Sequence, residues 1–146
     1  MKILIVDDSF TMRLFSKNIL QTGGFDIFEA DDGETALSVL KKMSRPPDIM
    51  LVDWHMKKMA GDEFIRIVRE DNRYANTRII MVTSNNKISD ICSILTKGAD
   101  DYLIKPFEEK SLMTKVNKMI RRIEMRQQMN PVTTDIKTKL DGMRQM

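Results

Sequence analysis

The chain has 146 residues, 42% of them hydrophobic and 31% charged, with a formal net charge of +3. This is the composition of one soluble globular domain with a sizeable core. No apolar run approaches the ~20 residues a membrane helix needs. The N-terminal stretch is too short for a signal peptide. The single cysteine, Cys92, excludes an internal disulfide framework and a cysteine-based metal cluster. The cytoplasm is the expected location. Residues 1–120 carry 18 basic and 18 acidic side chains, so the excess lies in residues 121–146, with six basic against three acidic. That segment has no aromatic residue and offers no base-stacking platform. A solvated helix end is its expected role, and nucleic acid an unexpected partner.

Ile3–Val6 is an aliphatic run suited to a strand buried on both faces. Asp8 or Ser9 caps a helix to about Thr22, with Met12, Phe15, Ile19 and Leu20 near helical spacing, and Gly23-Gly24 stops it. Phe25–Ala30 reads as the second strand, Asp31-Asp32-Gly33 as a turn, and the next stretch as a helix to about Met43. Pro46-Pro47 separates this helix from a third strand, Ile49–Val52, ending at Asp53. A helix over about Asp62–Glu70 buries Phe64, Ile65, Ile67 and Val68. Arg78–Val82 is the fourth strand, ending at Thr83, and a helix from about Lys87 to Lys97 closes at Gly98. Tyr102–Ile104 is the fifth strand, and Lys105-Pro106 leads into a helix from about Glu108 to Gln127 that Pro131 ends. Val132–Met146 can form one more short helix, with Ile136, Leu140 and Met143 on one face. The expected domain covers residues 1–125, and residues 126–146 form a short basic tail, extra helix or linker. Five strands alternating with five helices predict an α/β fold, a parallel sheet covered on both faces.

In such a fold the site lies beyond the carboxyl ends of the strands, at a topological switch point. Asp7, Asp8, Asp53, Thr83 and Lys105 all fall at those ends. Crowded carboxylates raise one another's pKa values unless a cation compensates. Mg2+ suits an all-carboxylate set, whereas zinc lacks the Cys and His ligands it prefers. A carboxylate, a metal, a lysine and a hydroxyl converging on one point form a phosphoryl-transfer site with Asp53 as nucleophile. Lys105-Pro106, in a tight turn, is a candidate cis bond.

Val6-Asp7-Asp8-Ser9-Phe10-Thr11-Met12-Arg13, Leu51-Val52-Asp53-Trp54-His55-Met56 with Gly61, Val82-Thr83-Ser84 and Gly98 through Phe107 resemble the receiver domains of two-component response regulators. The resemblance spans about residues 1–125 and is strongest to the single-domain chemotaxis type. It implies a doubly wound, flavodoxin-like sheet in the order 2-1-3-4-5. It implies that Asp53 is the phosphoacceptor and that Asp7, Asp8, Asp53 and the His55 backbone carbonyl hold Mg2+. Lys105 would pair with the phosphoryl group, with Thr83 as switch hydroxyl and Tyr102 as switch aromatic. The implied phosphodonor is a sensor histidine kinase. The implied output is a downstream effector, or a homodimer, reading the face of helix 4, strand 5 and helix 5. The implied chemistry is self-directed, so the chain is not expected to be a conventional enzyme. Receivers usually have proline four residues after the phosphoacceptor, where this chain has Lys57. About 20 residues beyond the fifth helix are too few for a helix-turn-helix module. An N-terminal receiver piece of a longer transcription regulator remains the alternative, with a phosphatase-type hydrolase or a non-phosphorylated scaffold less favoured.

Overall fold

The computed structural model describes the backbone of residues 1–144 and the side chains of residues 1–129. Five strands, β1 (Lys2–Val6), β2 (Asp26–Ala30), β3 (Ile49–Asp53), β4 (Arg78–Thr83) and β5 (Asp101–Ile104), form one sheet in the order β2-β1-β3-β4-β5. Every neighbouring pair is parallel. The helices are α1 (Phe10–Thr22), α2 (Gly33–Lys42), α3 (Gly61–Glu70), α4 (Ile88–Thr96) and α5 (Glu109–Arg144). A 3-10 turn at Asn72–Tyr74, unforeseen in the sequence, leads into β4.

Side-chain alternation divides the core into two halves. Leu4, Val6, Met50, Val52, Ile79 and Met81 pack with Ala36, Leu40, Phe64, Ile65, Val68 and Ile94 from α2, α3 and α4. Ile3, Ile5, Ile49, Leu51, Ile80 and Val82 pack with Ile19 and Leu20 of α1 and Leu112, Val116, Met119 and Ile123 of α5. Because both faces of the central strands are covered, their sequences read as unbroken apolar runs. Each fully buried side chain of this kind contributes about 1.5–3 kcal/mol by leaving water.

Side chains cap α1 and α2 locally. Ser9 accepts the Met12 amide at the start of α1, and Asp32 accepts the Thr35 amide at the start of α2. Three expectations are corrected. Ile67 is only half-buried, and the covered face of α3 runs through Phe64, Ile65 and Val68. Phe15 is not core but 40% exposed, its ring meeting Phe107 at 5.8 Å between centroids. Ser16 takes the buried place, since the α1 face against the sheet runs through Ser16, Ile19 and Leu20. Pro131 does not end the last helix, which continues as one element to Arg144. An interior proline removes one backbone donor and strains the preceding turn, a local penalty that does not oblige the helix to stop. The apolar set Ile136, Leu140 and Met143 lies outside the described side chains.

This topology places the site. The chain runs from β1 outward to β2 on one side and then crosses to β3 on the other. The carboxyl ends of β1 and β3 therefore flank the switch point where ligands bind in open α/β sheets.

Candidate functional site

Asp7 follows the last residue of β1 and is 6% exposed. Its Oδ1 accepts the Ser9 amide at 2.9 Å, while its backbone carbonyl accepts Arg13 Nη1 at 2.6 Å. The same residues that begin α1 thus orient the first carboxylate. Asp8 is exposed. Asp53, the last residue of β3, is 5% exposed, and its Oδ1 accepts the His55 amide at 3.2 Å. One ligand oxygen from each of Asp7, Asp8 and Asp53 lies within 4.8 Å of the others.

Lys105 enters this group from the end of β5. Its backbone amide donates to the Thr83 carbonyl at 2.8 Å, continuing the β4–β5 pairing, and the next bond, Lys105–Pro106, is cis as expected. Its ammonium lies 3.0 Å from Asp7 Oδ2 and 3.3 Å from Asp53 Oδ2. The lysine therefore bridges two carboxylates rather than serving Asp53 alone.

The electrostatics follow from this crowding. Burial is the main influence pushing the Asp53 carboxyl up, and the Asp7 charge adds to it. The Lys105 ammonium and the His55 amide pull the other way, and the balance stands at about 6. Burial disfavours the Lys105 ammonium, but the hydrogen bond to Asp7 and the charges of Asp53 and Asp7 outweigh it and hold its pKa above the ordinary lysine value. The donor set is all carboxylate oxygen, which fits a hard divalent cation and not a soft one. A cation bound there would offset the repulsion between Asp7 and Asp53, which share Lys105 as their ammonium partner.

The remaining residues divide. Thr83 is fully buried at the end of β4, and its Oγ1 accepts the Asn85 amide at 3.1 Å. His55 exposes its ring and contributes its amide to Asp53. Tyr102 is half-buried on β5, away from the carboxylates, with the Lys115 ammonium 4.6 Å from its ring centroid. Lys58, in the loop after β3, comes within 3.6 Å of Asp32, and Lys97 on α4's C-cap lies 5.4 Å from the Trp54 ring. Gly61 closes that loop. Its amide donates to the Trp54 carbonyl at 3.0 Å, and a Cβ there would meet the Asp53 carbonyl oxygen at 2.7 Å and Trp54 Cα at 2.9 Å. The loop carrying Lys57 in place of proline is thus held at its far end by backbone contact.

Arg13 went unassigned in the sequence, although it braces Asp7. Its placement depends on how α1 lies across the end of β1, a tertiary fact that no local pattern signals. Gly61 carried a partial signal, because a glycine at a loop–helix junction often marks close backbone approach.

Comparisons with known proteins agree with this geometry. The family model described as "Response regulator receiver domain" matches residues 3–117. The chain is 41% identical over 124 residues to "Chemotaxis protein CheY" of Pseudomonas aeruginosa, covering 84% of this chain and 98% of that protein. It is 39% identical over 124 residues to "Chemotaxis protein CheY-3" of Vibrio cholerae, covering 84% and 94%. Among solved structures, the chemotaxis response regulator CheY4 of Vibrio cholerae superposes with a TM-score of 0.76 at 31% identity, over 81% of this chain and 97% of that one. The strand order, the carboxylates at the switch point and these similarities converge: the chain belongs to the response regulator receiver domain family and is a CheY-like receiver of two-component signalling.

Proposed function

We propose that Asp53 accepts a phosphoryl group from the phosphohistidine of a sensor kinase, and that the resulting charge switches a surface read by a downstream protein. The observation that carries this is the Lys105 ammonium held between Asp7 and Asp53 at 3.0 and 3.3 Å, beside a third carboxylate. A carboxylate oxygen of Asp53 attacks phosphorus as the donor's P–N bond breaks, and the donor histidine leaves with the bonding pair. Asp7, Asp8, Asp53 and the His55 carbonyl would hold Mg2+, which supplies charge stabilisation for the transferring oxygens. Lys105 stands ready to pair with one phosphoryl oxygen. Thr83 can release the Asn85 amide and offer its hydroxyl to another, and Tyr102 would follow that movement on the face formed by α4, β5 and α5.

In this scheme the chain turns over no separate substrate: phosphoryl acceptance and slow hydrolysis are directed at itself. The partners are a histidine kinase and an effector, or a second copy, at the face of α4, β5 and α5. A cytoplasmic location accords with such partners. Among the described residues no helix is long and apolar enough to cross a membrane. The test is intact mass after incubation with acetyl phosphate and Mg2+, beside Asp53→Ala. A gain of one phosphoryl group that needs Mg2+ and vanishes in the variant is the expected result. No gain by a folded, Mg2+-bound chain would overturn the assignment.

A further inference from the structure

At the opposite edge of the sheet, before the amino ends of β3 and β4, lies a cavity of about 320 Å³. Its charged lining is Arg45, Arg73, Arg78 and Arg126 against Asp48 alone. These arginines come from three separate places: the loop after α2, the 3-10 turn and first residue of β4, and α5 beyond the residues that match the family model. Arg73 is paired with Asp71 at 2.8 Å, and Arg78 with Asp100 at 3.1 Å. Asp100 also serves Arg69 at 3.0 Å, so one carboxylate answers two guanidinium groups. Among the described residues, Arg45 and Arg126, both exposed, have no acidic partner within 4.0 Å, and Asp48 spends an oxygen on the Lys2 amide. Among the described residues, Arg78 Nε is the buried side-chain nitrogen or oxygen left without a hydrogen-bond partner.

A buried donor left unmatched is unfavourable, and this one belongs to an arginine that lines the cavity. Guanidinium groups arriving from three directions suit a tetrahedral anion with several oxygens better than a planar carboxylate with two. Pro46, Pro47 and Ile123 add an apolar wall beside the charged one. The volume falls at the small end of organic ligand sites.

We propose that this cavity binds a small phosphate-bearing molecule, of nucleoside monophosphate size or below. The site stands on its own residues and does not depend on phosphorylation of Asp53. Its occupancy would tie the middle of α5 to the starts of β3 and β4.

The full chain would be titrated with AMP and, separately, with inorganic phosphate, both in EDTA so that Asp7, Asp8 and Asp53 repel the anion. Binding would be followed by calorimetry and by amide chemical shifts. The expected result is saturable binding with shifts centred on Thr77, Arg78 and Ile123. Affinity should weaken about tenfold or more in Arg45→Gln/Arg126→Gln, the loss of two charge-assisted contacts. Lys110→Gln/Arg121→Gln, with the same change in net charge, should bind as the parent does. AMP tighter than phosphate assigns a role to the apolar wall, and equal affinities assign the site to the bare ion. Absence of saturation to about 10 mM would overturn the proposal. So would shifts centred on Asp53, equal weakening in both double variants, or binding of single-stranded DNA alone.

Discussion

Asp53 and Asp101 are equally buried, each 5% exposed, and sit at opposite ends of their strands, yet their carboxyls are driven in opposite directions. Asp101 opens β5 with the Lys115 ammonium at 2.9 Å and Lys118 at 3.4 Å. Burial disfavours its charge, but the Lys115 hydrogen bond, the Tyr102 amide and the two lysine charges outweigh burial and hold its pKa below the ordinary carboxylate value. Asp53 closes β3 with one lysine that it shares with Asp7, and its pKa is pushed up to about 6. Burial is common to both, so it is the ratio of cations to carboxylates that separates them. Where ammonium groups outnumber carboxylates, the protein completes its own ion pairing. Where carboxylates outnumber them, the fold keeps a charge that something from outside must satisfy.

Removing the shared lysine tests this contrast hardest. Lys105→Met leaves Asp7 and Asp53 facing each other without a cation, and should cost about 2–4 kcal/mol in urea melts run in EDTA. Mg2+ should restore part of the loss. A variant as stable as the parent would show that Asp53 is not under strain. Gly61→Ala separates geometry from charge, because its Cβ would strike backbone atoms at 2.7 and 2.9 Å. It should lower stability by about 1–3 kcal/mol, with or without Mg2+.

The next pair uses chemically identical changes. Without metal at neutral pH, Asp53→Asn should stabilise the fold by about 1–3 kcal/mol, since it removes a carboxylate whose native pKa stands about two units above its unfolded value. Asp101→Asn should instead destabilise it by about 1 kcal/mol, because Lys115 and Lys118 lose their anion and Lys118 is half exposed. Two shifts of the same sign would break the comparison.

The pH dependence sharpens it at smaller scale. With a native pKa of about 6 against an ordinary value of 3.8, native Asp53 binds a proton more readily than unfolded Asp53 does. Its contribution therefore worsens as pH rises through that window and is relieved as pH falls from 7 toward 5. The advantage of Asp53→Asn should shrink over the same interval. Asp101, held low, contributes stability above the unfolded value that is lost only in stronger acid. Chemical melts of both variants at several pH values would read the two trends.

How much of this could be read beforehand follows from the range of each interaction. Ile3–Val6, Ile49–Val52 and Arg78–Val82 announced their strands because both faces of the sheet are covered, and the acids closing two of them announced the site. Parallel pairing turned those strand ends into neighbours, so residues 46 and 98 positions apart along the chain could be brought together on paper. Phe15 misled because its spacing suits a buried helical face, while α1 turns that face to Ser16 and leaves the ring beside Phe107. Pro131 misled because a proline's local penalty does not by itself set a helix boundary. The arginine cavity was beyond reach, since Arg45, Arg73, Arg78 and Arg126 belong to segments that meet only through the packing of α5 on the sheet.

The Lys105 bridge has one consequence in valence. Three carboxylates less one ammonium leave two negative charges at the switch point when Asp53 is ionised. One divalent ion brings that sum to neutrality. A monovalent ion leaves a deficit and a trivalent ion overshoots, so the lysine makes the cleft discriminate by the number of charges an ion carries as well as by its size.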